Sequence, residues 1–271
     1  PAVPGSAPVS SDVMIEQSRK AALASVDRVR IDAPRLHGSI SLKGGILDDL
    51  TLIDYHKTVD QTSPEIVLLS PRGAVDAYFA GYGWTGAEGV ALPGLDTEWT
   101  TDSKTLTADS PVTLTWDNGQ GLIFKRTFSI DRNYMFKVEQ TVENNSGEAK
   151  TLYPYGLLSR YGTPETTGFY ILHEGLLGVF DGQLKEVDYD DLKEEKAGIS
   201  GESTGGWIGI TDKYWLATLI PNQSEKVQTR FLHRKEGVVD VFQTDFLGSP
   251  ILIPAGGSAS SETHMFAGAK E

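Results

Sequence analysis

The chain has 271 residues and a formal net charge of −13, because 37 acidic residues outnumber 24 basic ones. So acidic a surface repels phosphate backbones and anionic lipid headgroups, which argues against nucleic-acid binding and adhesion to a membrane surface. The sequence contains no cysteine, which excludes disulfides, thiolate metal sites and cysteine nucleophiles.

The beginning of the chain differs in composition from the rest. "PAVPGSAPVSS" (residues 1–11) is rich in Pro, Ala and Ser and has no hydrophobic periodicity, which is typical of a semi-extended linker. "DVMIEQSRKAALASV" (12–26) follows Ser11, a residue able to cap a helix, so a short helix and a continued tether both stay open. We therefore assign residues 1–25 to a tether that is at most partly helical, and residues 26–271 to a single β domain.

Three segments in the middle of the chain alternate apolar and polar residues. They are "VTLTW" (112–116), "LIFKRTFSI" (122–130) and "MFKVEQTVEN" (135–144), and turn-forming residues such as "DNGQG" (117–121) separate them. A period of two with Asn, Asp and Gly turns predicts strands of an antiparallel meander.

Two further pairs of strands are predicted near the end of the chain. "GGWIGITDKYWLATLIP" (205–221) consists of two apolar runs that residues 211–213 interrupt, each too short to cross a membrane and rich in Trp, Tyr and Ile. "KVQTRFLH" (226–233) and "VVDVFQTD" (238–245) form a second hairpin pattern. Many short strands with Gly and Pro turns favour an all-β sandwich or barrel.

Two short motifs match functional patterns without their structural context. "GYGWTG" (81–86) fits G-x-G-x-x-G, but Gly89 and Pro93 prevent the helix that a dinucleotide site needs. We predict a glycine-rich aromatic loop there.

"GESTG" (201–205) fits G-x-S-x-G around Ser203, but an apolar strand follows where a nucleophile elbow needs a helix. We interpret it as a chance match.

Neither the acidic run nor the histidines predict a cofactor or metal site. "DYDDLKEE" (188–195) has Leu192 and Lys193 where a calcium loop needs an oxygen ligand and glycine, so we predict a solvated face or loop. The histidines lack the usual ligand spacings. His173 and Glu174 form an adjacent acid–base pair, but neighbouring residues of a strand point to opposite faces.

Aromatic residues are the remaining candidates for binding. Amphipathic rings on a sheet can stack on sugars or grip a peptide. More often such rings fill a sandwich core, and this alternative stays open. We assign no catalytic residue, and take as candidates for partner or cleft binding the rings of Tyr82, Trp84, Trp99 and Tyr161.

Four segments resemble the periplasmic domain of the bacterial YidC membrane protein insertases, and most of all its alphaproteobacterial members. They are residues 29–60, "AYFAGYGW" (77–84), "GGWIGITDKYWLATLIP" (205–221) and "MFAGAKE" (265–271). Their order and spacing fit the family as well. The most specific part is the block GGW followed by DKYW in the third segment.

The resemblance implies a fold and a place in a larger protein. In that family a transmembrane helix precedes this domain, and five helices that perform insertion follow it; they are absent from this chain. The domain is a large twisted antiparallel two-sheet β-sandwich, a supersandwich similar to galactose mutarotases. "MFAGAKE" is then expected to be the last strand before the second transmembrane helix, and the Pro/Ala/Ser segment the tether from the first. The functional arginine of the family lies in the missing helices, so no site residue is carried over.

The resemblance also implies a function. It predicts a non-catalytic interaction domain in the periplasm, at the bacterial inner membrane, that aids insertion, folding and assembly of inner-membrane proteins. SecD, SecF, the Sec translocon and nascent membrane proteins are the implied partners, and we expect the isolated domain to be a monomer. Two alternatives stay open: a carbohydrate-binding or mutarotase-like module, and a periplasmic holdase-type chaperone with an exposed apolar patch.

Overall fold

The computed structural model describes residues 1–4, 18–86, 88–164 and 172–271. The helices are α1 (Arg19–Ala24) and α2 (Tyr189–Glu194). The strands are β1 (Arg28–Asp32), β2 (Leu36–Ser41), β3 (Ile46–His56), β4 (Glu65–Leu69), β5 (Tyr78–Gly86), β6 (Thr100–Thr101), β7 (Thr105–Leu106), β8 (Val112–Asp117), β9 (Leu122–Ile130), β10 (Met135–Asn144), β11 (Lys150–Tyr161), β12 (Gly175–Phe180), β13 (Gln183–Asp188), β14 (Ile199–Thr204), β15 (Trp207–Thr211), β16 (Trp215–Ile220), β17 (Lys226–Glu236), β18 (Val239–Leu247), β19 (Ile251–Ile253) and β20 (Ser258–Ala269).

These strands form two sheets, which pack on one another as a sandwich. Within the described residues, the larger sheet has 11 strands in the order β14-β17-β18-β11-β5-β3-β2-β1-β7, with β19 beside β11 and β4 beside β3. The smaller sheet has 9 strands in the order β13-β12-β15-β16-β20-β10-β9-β8-β6. Apolar residues from both sheets form one core cluster. The two-sheet sandwich that the resemblance implied is confirmed.

The predicted meander and both predicted hairpins are confirmed. β8, β9 and β10 are antiparallel neighbours in the smaller sheet, and the alternation buries one side of β9 and β10. β15 pairs with β16, and β17 pairs with β18. "MFAGAKE" begins within β20, which pairs with β10 and β16. The period of two is visible in the sequence because one face of each strand meets the opposite sheet.

The expected glycine-rich loop at residues 81–86 is wrong, because this segment belongs to the central strand β5. Its glycines alternate with buried aromatic residues and lie under side chains of the neighbouring strand β11. A Cβ on Gly83 would lie 2.5 Å from the Tyr155 hydroxyl oxygen, and one on Gly81 would lie 3.3 Å from Leu157 Cδ1. The glycines therefore make room for β11 side chains rather than forming a turn.

The acidic run at residues 188–195 is a short helix rather than a loop. α2 buries Tyr189 and Leu192 while Asp190 and Asp191 stand in its first turn. Negative charge at that end is favourable, since helix N-termini carry unpaired N–H groups. The run thus has a solvated side, as expected. It also has an apolar side, which its acidic composition did not indicate.

Within the described residues, α1 is the part of the predicted N-terminal helix that is present. Ser18 caps it, because its hydroxyl oxygen accepts a hydrogen bond from the Ala21 N–H at 3.3 Å. Residues 12–17 of the predicted segment lie outside the described residues. In the part of the chain that the structure describes, no helix has the length and apolar character to cross a membrane.

One charged residue lies inside the core between the sheets. Arg126 shares the inward side of β9 with Phe124 and Phe128 and is only 1% exposed. Its guanidinium donates to the carbonyls of Gly44, at 3.1 Å, and Gly45, at 2.6 Å, and also to the Tyr82 carbonyl. The group therefore ties the smaller sheet to the larger one, and burial lowers its pKa to about 10.

Candidate functional site

The outer face of the larger sheet is the side turned away from the smaller sheet. On β5, β11 and β18 the inward side chains, such as Tyr82, Leu158 and Phe242, belong to the main core. The residues between them point outward, and the strand register brings Leu157 beside Asp245 on one side and beside Gly81 on the other. This outer face combines apolar side chains with buried polar ones, so it is the candidate functional site.

A buried ion pair lies on the outer face at β17 and β18. The Arg230 guanidinium donates to both carboxylate oxygens of Asp245, from Nε at 2.9 Å and from Nη2 at 3.1 Å. Asp245 is fully buried. Such a bidentate pair holds the carboxylate in one orientation. Gln243 Nε2 donates a third hydrogen bond to Asp245 at 2.8 Å.

A second group of ion pairs lies on the outer face at β1, β2 and β3. Arg28 pairs with Asp48, and Arg19 of α1 pairs with Asp49. The Ser39 hydroxyl donates to Asp49 at 2.6 Å. The pair between Arg19 and Asp49 fixes helix α1 against this side of the sheet, so the sequence before β1 is part of the outer face.

An apolar pocket separates the two groups of ion pairs. Ile46, Phe79, Tyr155 and Leu157 form its floor, and Val3 fills it with 2% of its surface exposed. This cluster is distinct from the main core between the sheets. The N-terminal residues thus complete the outer face, and we call this feature the Val3 pocket.

Tyr161 stands at the rim of the Val3 pocket. Its ring lies 6.4 Å from the Phe79 ring, between centroids, and its hydroxyl donates to Glu236 at 3.0 Å. Arg234 in turn pairs with Glu236 at 2.8 Å. Burial and the neighbouring Glu236 raise the pKa of Tyr161 to about 12, so the phenol is a neutral donor at physiological pH.

Burial shifts the ionisation of two outer-face acids, Asp48 and Asp245, toward the protonated form. It raises the pKa of Asp48 to about 6, although the charge of Arg28 acts in the opposite direction. Burial also raises the pKa of Asp245, again against the lowering effect of its arginine partner. We interpret these carboxylates as parts of a structural network, because arginine side chains hold them in place.

The four predicted binding aromatics do not share one site. Tyr82, Trp84 and Trp99 are 3, 3 and 5% exposed and belong to the core between the sheets, and the Trp99 ring packs on the Arg126 guanidinium. Tyr161 alone among the four borders the outer face. Their role in partner binding stays a prediction, and the core packing of the first three is the alternative that the sequence left open.

The remaining sequence candidates serve local structure. His173 Nε2 lies 2.9 Å from the Leu176 carbonyl oxygen, and Glu174 accepts a hydrogen bond from the Lys213 backbone N–H at 3.2 Å. Ser203 lies on the edge strand β14, where its hydroxyl donates to the Gly205 carbonyl at 3.0 Å and accepts from the Asp181 backbone N–H. These contacts fix turns, and the interpretation of G-x-S-x-G as a chance match stays a prediction.

A separate cleft of about 290 Å³ opens between edge strands β13 and β14 at one end of the sandwich. Phe180, Leu184 and Lys185 line one wall, and Ile199 and Arg230 line the other. Arg230 lies on β17 next to β14, and its guanidinium pairs with Asp245 of β18 on the outer face. The cleft is shallow on its β13 side, where Leu184 is 58% exposed.

Val3, Gln243 and Asp245 were not among the predicted site residues. The alternation in "VFQTDF" assigns Gln243 and Asp245 to the side opposite Phe242 and Phe246, so the polar outer face was detectable. Their partners were not, because the contacts join residues far apart in the chain, such as Gln243 and Pro4. Val3 stands in a segment whose composition indicates a linker.

Solved structures with similar folds include sugar-converting enzymes by name. The chain resembles a putative aldose 1-epimerase from Escherichia coli K12, with a TM-score of 0.55 and 11% identity over 89% of this chain and 98% of that one. It also resembles a galactose mutarotase-like protein from Lactobacillus casei, with a TM-score of 0.54 and 12% identity over 89% of this chain and 99% of that one. At such identities the likeness shows the fold alone.

Proteins that are similar to the chain in sequence have a different name from these structural neighbours. The chain is 50% identical to the membrane protein insertase YidC of Methylobacterium nodulans over 280 residues, which cover 99% of this chain and 46% of that protein. It is 48% identical to the YidC of Bradyrhizobium diazoefficiens over 94% of this chain and 41% of that protein. The chain thus spans somewhat less than half the length of these relatives. The family model described as the YidC periplasmic domain matches residues 28–271, and the chain belongs to this family.

Proposed function

We propose that this chain is a non-catalytic interaction domain of a membrane protein insertase at the bacterial inner membrane, and that it faces the periplasm. There it aids insertion, folding and assembly of inner-membrane proteins, alone or with the Sec translocon. The observation that carries this proposal is the family match over residues 28–271, together with the name of the relatives that are about half identical to the chain.

We assign SecD, SecF and nascent membrane proteins as the partners of the whole protein. A formal charge of −13 disfavours contact with anionic lipid headgroups, so protein partners suit this domain better than the membrane surface. Membrane attachment then comes from helices in the part of the relatives' length that this chain does not cover. Tethering raises the effective concentration of a partner, so modest affinity is sufficient.

A non-catalytic role agrees with the contacts of the candidate acid–base pair. His173 and Glu174 hold backbone groups of neighbouring segments, whereas sugar ring opening needs an acid and a base within hydrogen-bond reach of one substrate. The alternative of a mutarotase-like or carbohydrate-binding module therefore rests on fold likeness. It would replace our proposal if the chain accelerated glucose mutarotation and His173→Ala abolished that activity.

The proposal is tested in the full-length protein in native membranes. We expect replacement of residues 28–271 by a flexible linker of Gly and Ser to leave the insertase in the inner membrane and to reduce co-purification of SecD and SecF severalfold. A second variant that keeps the domain and carries only Val59→Asp, at a fully exposed position, is the matched control. Unchanged recovery of SecD and SecF with the linker variant would contradict the assignment of these partners.

A further inference from the structure

The N-terminal residues lie across the outer face of the larger sheet. Val3 is 2% exposed and contacts the cluster of Ile46, Phe79, Tyr155 and Leu157. Burial of a Val side chain removes its apolar surface from water, which stabilises the contact. A residue from a linker-like segment thus makes a core-like contact on a sheet face.

Hydrogen bonds hold the backbone on both sides of Val3. The Thr85 hydroxyl donates to the Ala2 carbonyl at 3.2 Å, and Gln243 Nε2 donates to the Pro4 carbonyl at 3.0 Å. Both donors are side chains. The segment therefore crosses the sheet face and is recognised there, which differs from the pairing of an added strand at a sheet edge.

The orientation of the Gln243 amide is fixed by its neighbours. Its nitrogen donates to Asp245 at 2.8 Å, and its oxygen accepts from Arg234 Nη1 at 3.4 Å. The carboxylate accepts one N–H of the amide, so the second N–H is directed at the Pro4 carbonyl. These two contacts come from the sheet itself, so the donor is prepared before the peptide binds, which lowers the entropy cost of binding.

The occupant has the sequence Pro1-Ala2-Val3-Pro4, a P-x-x-P pattern. Proline fixes its own φ and disfavours helical backbone at the residue before it, so Val3 is held extended. Proline also lacks an N–H, so the carbonyls are the main polar groups that need partners. Extended proline-containing peptides commonly bind in grooves lined by aromatic rings.

The floor of the pocket has the matching composition. The rings of Phe79 and Tyr155 lie in it, and Tyr161 flanks it. Gly83 of β5 lets the Tyr155 ring lie across the sheet, because a Cβ at this position would collide with the Tyr155 hydroxyl. The nearby charges of Arg230 and Asp245 are paired with each other, so the pocket suits an uncharged peptide.

We propose that the Val3 pocket, with Gln243 and Thr85 at its sides, is a binding site for an extended, uncharged peptide in which an aliphatic residue precedes proline. Residues Ala2–Pro4 of this chain occupy the site. A segment of the same chain has an effective concentration of about millimolar order, so the site is closed to weaker free peptides while this segment is bound.

The test uses the full 271-residue chain and the capped peptide acetyl-Pro-Ala-Val-Pro-amide. The side-chain amide signal of Gln243 is followed by NMR and is identified by its loss in Gln243→Met. We expect Val3→Asp to shift this signal, because a charged side chain leaves the pocket, and the peptide to restore it saturably. The unaltered chain should need at least about tenfold more peptide for any response. Val59→Asp, the same change at a fully exposed valine, is the matched control and should behave like the unaltered chain.

Two results would overturn the inference. One is an unshifted Gln243 signal in Val3→Asp. The other is equal binding of the peptide and of its Asp-containing analogue, acetyl-Pro-Ala-Asp-Pro-amide, to the variant. If Val3→Asp does not fold, the unaltered chain decides: contacts between the Val3 methyl groups and the rings of Phe79 and Tyr155 must appear as nuclear Overhauser effects, and Thr85→Val must weaken them. Absence of these effects contradicts the proposal.

Discussion

The two faces of the larger sheet are built by the same strands and completed in different ways. On the inner face, Tyr82, Leu158 and Phe242 pack against the smaller sheet in one apolar core. On the outer face the alternate residues of the same strands include the ion pair of Arg230 and Asp245. Sheet packing completes the first face, whereas residues that precede β1 complete the second.

The two faces also differ in how they accommodate charged side chains. Arg126 of β9 enters the core against the inner face, where three backbone carbonyls accept its hydrogen bonds. The outer face holds several charges in pairs and leaves an apolar pocket between them. We therefore expect substitutions on the inner face to act mainly on folding and those on the outer face to act more on binding.

The largest expected effect is the loss of a core ring. Phe128 is fully buried and meets the Tyr82 ring edge-on at 6.3 Å between centroids. We expect Phe128→Ala to lower the free energy of unfolding by about 4 kcal/mol, since the cavity adds to the lost transfer energy. Urea unfolding measures it. Leu252→Ala, at a residue 66% exposed, is the control and should change stability by less than about 0.5 kcal/mol.

The second effect concerns the buried charge on the inner face. Arg126→Met keeps much of the volume but leaves the carbonyls of Gly44, Gly45 and Tyr82 without their donor, and we expect a loss of about 3 kcal/mol in the free energy of unfolding. Arg132→Met, on the exposed pair with Asp109, provides the comparison and should leave urea unfolding unchanged. A variant at Arg126 as stable as the unaltered protein would mean that the carbonyls find other partners.

The third effect breaks the outer-face pair. Arg230→Gln leaves the fully buried Asp245 carboxylate without its guanidinium, and we expect a loss of about 2 kcal/mol, smaller than in the core because Arg230 itself is 24% exposed. Lys226→Gln on the same strand breaks an exposed pair with Glu202 and should be without measurable effect. Equal stabilities of the two variants in urea would remove the distinction between buried and exposed pairs on this sheet.

The smallest effect is a pH dependence of stability that comes from Asp48, whose charged neighbours are Arg28 and Asp49. Its pKa rises from 3.8 to about 6 on folding, so the folded state binds the proton more tightly. The stability that protonation gives is complete below pH 3.8 and is lost as the pH rises through about 6. We expect the unaltered protein to gain about 1 kcal/mol over Asp48→Asn between pH 7 and pH 5. Urea unfolding at both pH values checks this, and a difference of the opposite sign would contradict the raised pKa.

Local pattern predicted the inner face well and the outer face poorly. The hairpins of β8 to β10 and of β17 and β18 follow from a period of two, because the opposite sheet buries alternate residues. Central strand β5 was missed, since its glycines have the composition of a loop. Arg126 was missed because a basic residue within an apolar alternation carries no sign of its burial.

The candidate site could not be predicted from local sequence pattern, for a different reason. Aromatic content pointed to Tyr82, Trp84 and Trp99, but bulky rings fill the core as readily as they bind ligands. The Val3 pocket joins residue 3 to positions 79 and 155, and nothing in the sequence around Val3 indicates burial. Contacts between residues so far apart in the chain become visible only in the folded structure.

The central claim is that this chain is a periplasmic domain of an inner-membrane insertase. We would test it first by fractionating native cells and probing with an antibody raised against the 29.4 kDa chain. We expect a band of about twice that mass, because the chain covers 46% of a relative. This band should be confined to the inner membrane and cut by protease added to spheroplasts. A soluble band near 29 kDa, or a membrane band that external protease leaves intact, would contradict it.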